Sequence, residues 1–269
     1  MISRNNNSIV KTSSNSDGIL RITLNNPKNH NALSEEMMLN IQLALDEAAA
    51  DKKIRVIIIS AEGPTFSAGH DLKELKTGRK NSDKGKGYFK EVMLKCSKLM
   101  QSIVNNPKPV ISEVAGVATA AGCQLVASCD LAYAGESAKF ATPGVNIGLF
   151  CSTPMVALSR NVSNKHSMEM LLTGDLISSS KAAEIGLINK MINDNDLKNF
   201  VLERALKISK KSAMTLKIGK EAFYKIIDMT LSEAYDYASN VMVENMLKLD
   251  AEEGIDAFIN KRTPNWQDK

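Results

Sequence analysis

The 269-residue chain has no apolar run of about 18 residues, the length a helix needs to cross a bilayer, so no spanning helix is expected. It also lacks the apolar core of a secretory signal. Residues 1–16 are polar and rich in Asn and Ser, with Arg4 and Lys11 as their cations and no acid before Asp17. That stretch reads as a flexible leader, and the expected compartment is the cytoplasm, with the mitochondrial matrix as the alternative. Paired cysteines are missing too. Cys96, Cys123, Cys129 and Cys151 form no Cys-x-x-Cys, and His30, His70 and His166 are far apart. No zinc pattern or other metal site is therefore expected, and the thiols read as reduced. Nor is there a strong excess of charge. The formal net charge is +4, with cations scattered apart from richer segments at Lys73–Lys90 and Lys207–Lys220. A nucleic-acid binder would be more basic and more clustered. The default reading of those segments is a solvated surface; the functional reading is help with a polyanionic small ligand.

Several catalytic signatures are absent. A dinucleotide fold needs Gly-x-Gly-x-x-Gly after its first strand, and the nearest run, Gly116–Gly122, has Ala118 where the second glycine must admit a pyrophosphate. The hydrolase elbow Gly-x-Ser-x-Gly fails around Ser67, because position 65 is Thr. There is no phosphate loop and no His-Glu-x-x-His. NAD chemistry, nucleotide hydrolysis and zinc hydrolysis are set aside on these grounds.

What is present is an alternation. Ile19–Leu24 has the period of a strand, and Asn25-Asn26-Pro27 ends it. Ser34 is placed as the N-cap of a helix whose apolar face carries Met37, Ile41, Leu45 and Ala48. Val56–Ile59 and Val110–Val114 are β-branched runs of the kind buried on both faces, and Leu131–Ala134 is a weaker third. Helical patterns fall at Phe89–Val104 and Ala121–Ser128, and Gly78–Gly87 reads as a mobile loop. This is α/β alternation. After Phe150 helical patterns dominate, so the expected organisation is a leader at 1–16, an α/β core at 17–200 and a helical region at 201–269.

Two segments stand out. Phe66–Lys73 and Val114–Leu125 are small-residue turns, each following a buried strand and entering a helix. Small side chains let a ligand approach backbone N–H groups, and a helix start leaves its first amides free at the positive end of the dipole. Such amides suit a developing oxyanion, where one well-placed donor is worth roughly 3 kcal/mol in a transition state. The bland alternative is that both turns are small only to let strands and helices pack.

These two segments resemble the signature of the crotonase (enoyl-CoA hydratase/isomerase) superfamily. Phe66-Ser67-Ala68-Gly69-His70-Asp71-Leu72-Lys73 is similar to its first box. Gly116 to Leu125, followed by Cys129-Asp130, is similar to its second. Asn31–Ser34, Leu172–Gly174, Ala183–Leu187 and Phe258–Arg262 also match, so the likeness runs from about Ile19 to Trp266. The run Thr142–Pro154 points to one branch within the superfamily. The resemblance implies an α/β crotonase (ClpP-like) fold of repeated β-β-α units with a C-terminal helical trimerisation region, and a homotrimer or dimer of trimers. It implies an acyl-CoA substrate, with no cofactor beyond the coenzyme A that the substrate carries. The oxyanion donors would be the N–H groups of His70 and Ala121. The coenzyme would be bordered by Lys28, Asn29 and His30 and by Ala68, His70, Asp71, Leu72, Lys73 and Ala121, with Phe258 and Lys261 arriving from a neighbouring subunit.

The sequence departs from the superfamily at the acid–base groups. Where standard hydratases carry two glutamates, this chain has Gln124 and Gly144, and each missing group typically costs about 10²- to 10⁴-fold in rate. Restoring both, Gln124→Glu with Gly144→Glu, is expected to raise hydration. Ser152 falls where other branches place a catalytic aspartate, and Cys151 beside it reads as a small buried thiol. Glu113, on a buried-looking strand, reads as structurally paired. Three functions stay open: a lyase or isomerase on an acyl-CoA thioester, a catalytically deficient acyl-CoA-binding or regulatory protein, and an acyl-CoA thioester hydrolase.

Overall fold

A computed structural model describes residues 8–269 of the chain. The larger sheet contains β1 (Val10–Ser14), β2 (Ile19–Leu24), β3 (Val56–Ala61), β5 (Val110–Val114), β7 (Leu131–Gly135) and β10 (Lys190–Ile192), in the order β1-β2-β3-β5-β7-β10. β1 runs antiparallel to β2; the other neighbours are parallel. A smaller sheet, β4-β6-β8-β9, comprises β4 (Thr65–Ser67), β6 (Val117–Thr119), β8 (Lys139–Ala141) and β9 (Ile177–Ser178), with β9 antiparallel. The helices are α1 (Glu35–Ala50), α2 (Leu72–Gly78), α3 (Lys86–Val104), α4 (Ala121–Ser128), α5 (Ser152–Leu158), α6 (Asn164–Thr173), α7 (Ser179–Glu184), α8 (Leu197–Ser209), α9 (Ala213–Ile226), α10 (Leu231–Met246) and α11 (Leu249–Ile259).

The β-branched runs form strands buried on both faces, as their composition demands. Ile57 and Ile59 of β3 join Leu20, Ile22 and Val110 in the main core with α1, α3 and α4. Val56 and Ile58 face the other way and pack with Ile111 and Tyr133 under Leu197, Val201 and Ala205 of α8. On that second face Arg21 grips Glu113 through two bonds of 2.6 and 2.9 Å, so Glu113 is structurally paired as its position suggested. Ser34 caps α1, its hydroxyl accepting from the Met37 N–H at 3.1 Å.

Three boundaries differ from the sequence reading. The stretch taken for a leader contains β1, whose partnership with β2 is not visible in the polar run Val-Lys-Thr-Ser-Ser; residues 1–7 of it lie outside the described residues. The division at 200/201 falls inside α8, which belongs to the sheet it covers. The expected loop at Gly78–Gly87 is shorter, because Gly78 ends α2 and Gly87 lies in α3. Asp83 orders the turn between them, accepting from the N–H groups of Gly85 and Gly87 at 2.9 and 2.7 Å.

Candidate functional site

The two small-residue turns leave β4 and β6, adjacent parallel strands of the smaller sheet, rather than the large-sheet strands that precede them. They touch. Gly69 has φ +87°, and a side chain there would bring its Cβ to 2.9 Å from the Ala120 Cβ and 3.1 Å from the Ala121 N. A Cβ on Gly122 would overlap the Ser67 carbonyl. Both glycines are therefore required for the turns to meet, which is the close approach that only glycine permits. Ala120 holds the junction in a backbone conformation uncommon for a residue with a side chain, φ 50° and ψ −120°.

The amides at this junction are unspent. The Leu33 N–H donates to the Gly69 carbonyl at 2.7 Å and the Ala120 N–H to the Ala141 carbonyl at 2.9 Å, while the N–H groups of His70 and Ala121 have no partner among the described residues. Ala121 is the first residue of α4, where an intrahelical acceptor is unavailable. Beside the junction lies a cavity of about 780 Å³. Ala68, His70 and Ala120 form its floor, Leu72, Leu75, Phe89 and Met93 one wall, and the segment from Pro143 to Pro154 the other.

The His70 ring belongs to that floor, and neither of its buried nitrogens has a hydrogen-bond partner. Burial pushes its pKa below the ordinary value, opposed in part by the Leu33 carbonyl, so the ring is neutral at pH 7. Thr142, also buried, has a hydroxyl without a partner. Cys151 lines the cavity, its Sγ accepting from the Gly144 N–H at 3.3 Å. Burial raises the thiol's pKa, with the Gly144 N–H working against it, and Cys151 is the small buried thiol that the sequence suggests.

The remaining expected residues divide. Gly144 and Ser152 line the cavity; the Ser152 hydroxyl is exposed and reaches only the Phe150 carbonyl at 3.4 Å. Gln124 does not line it: the side chain is 5% exposed and turned toward α3, where its Oε1 lies 3.9 Å from the Cys96 thiol that donates to it. Lys28 and Asn29 belong to a short 3-10 turn, Pro27–Asn29, followed by His30 at φ 51°. That turn is stitched to the first small-residue segment. The Ala68 N–H donates to the His30 carbonyl at 3.0 Å, and the buried Asn31 amide donates to the carbonyls of Glu62 and Thr65 at 2.9 and 2.7 Å. Asp71 caps α2, accepting from the N–H groups of Lys73 and Glu74, while Lys73 is exposed. Phe258, 86% exposed, and Lys261 lie at the end of α11, and neither lines this cavity. Sequence reasoning missed Leu75, Lys76, Arg79, Phe89 and Met93 as cavity residues. The spacing of Phe89 and Met93, one turn apart at the start of α3, was the available signal.

A profile of the Enoyl-CoA hydratase/isomerase family matches residues 14–269, and the chain belongs to that family; its fold is the crotonase fold. Within the family it is similar to enoyl-CoA hydratase domain-containing protein 3, mitochondrial. The human protein is 48% identical over 93% of this chain and 81% of its own length, and the Rattus norvegicus protein is 49% identical over 93% of this chain and 82% of its own length. Among solved structures, the human protein of that name superposes with a TM-score of 0.91 at 47% identity, covering 96% of this chain and 100% of the other. An enoyl-CoA hydratase of Mycobacterium smegmatis gives 0.92 at 41% identity, over 96% and 98%.

Proposed function

We propose that this protein binds the thioester of an acyl-CoA and acts on it as a lyase or isomerase with weak or non-standard hydration chemistry. The observation that carries the reading is the junction of the two turns, where the unbonded amides of His70 and Ala121 stand beside an apolar cavity. Two fixed N–H donors beside a space able to hold an acyl group are what stabilisation of a thioester oxyanion needs. The substrate brings the coenzyme, so the reaction requires no resident cofactor. Lys28–His30, with Ala68 and Asp71 to Lys73, border the coenzyme. Phe258 and Lys261 reach it from a neighbouring subunit of a trimer, a role supported by their exposure at the end of α11. The mitochondrial names of the similar proteins speak for the matrix and not for the cytoplasm expected from composition.

A second reading, a catalytically deficient acyl-CoA-binding protein, is favoured by the lining of the cavity, which among the described residues contains no aspartate or glutamate to activate a water. Crotonyl-CoA turnover, free thiol release and calorimetric binding separate the possibilities. Turnover identifies a lyase, thiol release a hydrolase, and micromolar binding without either a binding protein. The grip itself is tested by Ala121→Pro, which deletes one donor at a helix position that accepts proline. With the circular dichroism of the parent retained, any turnover should fall about 10²- to 10³-fold. Unchanged turnover in a folded variant refutes the oxyanion role.

A further inference from the structure

The cavity has a charge pattern that thioester binding alone does not use. Among the described residues its lining includes no carboxylate and two cations, Lys76 and Arg79. Lys76 lies in the last turn of α2 and Arg79 is its C-cap, three residues on, so both fall on one side of the helix. The Arg79 guanidinium sits 5.5 Å from the centroid of Phe89, another cavity residue, which restrains it.

This wall concentrates the positive charge of the molecule. From Lys73 to Lys90 the chain carries seven Lys or Arg against two acids, Glu74 and Asp83, a local +5 where the whole chain has +4. Both acids are engaged with backbone: Glu74 accepts from the Glu35 N–H at 3.0 Å, and Asp83 caps the turn before α3. Among the described residues none of the seven cations enters an ion pair, whereas just beyond them Lys95 bridges Glu35 and Glu91. Uncompensated cations along an otherwise apolar wall leave an anion-shaped gap in the electrostatics of the site.

The position of that gap selects between possible anions. Lys28, Asn29 and His30, assigned above to the coenzyme, do not line the cavity. α2 starts at Leu72, two residues after His70, and at 1.5 Å per residue Lys76 and Arg79 stand about 6 and 10 Å farther along it. The path from the grip to the cations runs along the apolar wall of Leu72, Leu75, Phe89 and Met93. It has the length and polarity of an acyl chain that ends in charge.

We propose that the acyl group accepted here carries a carboxylate at its far end, making the ligand the mono-thioester of a dicarboxylic acid, and that Lys76 and Arg79 select it. The inference deepens the acyl-CoA reading and rests on it. Arg79 offers the planar fork that matches a carboxylate, and Lys76 a second, mobile donor.

The test is calorimetric titration at low ionic strength with adipoyl-CoA and hexanoyl-CoA, saturated esters of equal chain length that differ in the terminal carboxylate. The parent protein should bind adipoyl-CoA about tenfold more tightly or better, a preference that shrinks with added salt. In Lys76→Met/Arg79→Met the preference should vanish while hexanoyl-CoA binding holds. Lys80→Ala/Lys84→Ala removes the same charge from positions outside the lining and should keep the preference. Equal affinity for the two esters in the parent overturns the inference. So does a double variant that weakens both esters and free CoA alike, because the cations would then serve coenzyme phosphates. Binding of neither ester nor CoA by the parent defeats the acyl-CoA reading itself, a distinct outcome.

Discussion

Gly144 and Gln124 show how much a single position can hide from sequence. The resemblance to the superfamily sets both at the positions of the glutamates of standard hydratases, which makes restoring the glutamates the expected route to hydration. The structure opposes it at both places. A Cβ on Gly144 would lie 2.5 Å from the Leu149 carbonyl and 2.9 Å from the Cys151 sulfur, because the Leu149 N–H donates to the Gly144 carbonyl and folds the segment back on itself. Gln124 is buried toward Cys96, where a carboxyl would be held protonated by desolvation. Gln124→Glu/Gly144→Glu is therefore expected to hydrate crotonyl-CoA no faster than the parent and to lose about 1–3 kcal/mol of stability from overpacking. Loss of enoyl absorbance and a urea unfolding curve measure both. The sequence revealed that the glutamates are missing; that their places have closed depends on contacts between residues five to 28 apart, beyond any local pattern.

At the scale of elements, legibility followed period. The β-branched strands and the helix capped by Ser34 appear near their observed positions because each buries a face at its own repeat. β4, β6, β8 and β9, of two or three residues, are too short to show a repeat, and they form the sheet from which both site turns emerge. The attachment of α9 to the core was equally invisible. The Lys220 ammonium donates to Asp130 at 2.6 Å and to the carbonyls of Ile103 and Lys108, and Asp130 also accepts from Tyr224 and from the Val110 N–H. Every partner of this buried cluster is satisfied, so removing one is costly. Lys220→Met should destabilise by about 3–5 kcal/mol, leaving Asp130 without its counter-charge. Asp130→Asn/Lys220→Met should recover part of that loss in the same denaturation experiment.

At the scale of the whole molecule, the C-terminal helices are tied back by their tail. Arg55, just before β3, donates to Asp268 at 2.8 Å and to the carbonyls of Ser209 and Lys211. Asp250 accepts from the N–H groups of Gln267 and Asp268, and the single tryptophan, Trp266, donates to the Lys210 carbonyl at 2.8 Å. Glu253 grips Arg262 and the Asn265 N–H, and the Arg262 bond holds its pKa down from 4.5 to about 2. A depressed carboxyl contributes its stabilisation above the unfolded value and loses it as pH falls toward the folded one. Trp266 emission should accordingly shift between pH 4.5 and about 2. Glu253→Gln should show the loosened signal at neutral pH; identical acid profiles for the two proteins would refute the link. Leu231, Tyr235, Met242 and Met246 of α10 form an exposed apolar row.

The meeting of Gly69 with Ala120 and of Gly122 with Ser67 has one further consequence. With backbone against backbone, the spacing of the His70 and Ala121 amides cannot be tuned by exchanging side chains there, because nothing larger than hydrogen fits at either glycine. Chemistry on such a protein can diversify only through its cavity walls, from Leu72 to Met93 and from Pro143 to Pro154: a rigid socket inside an interchangeable shell.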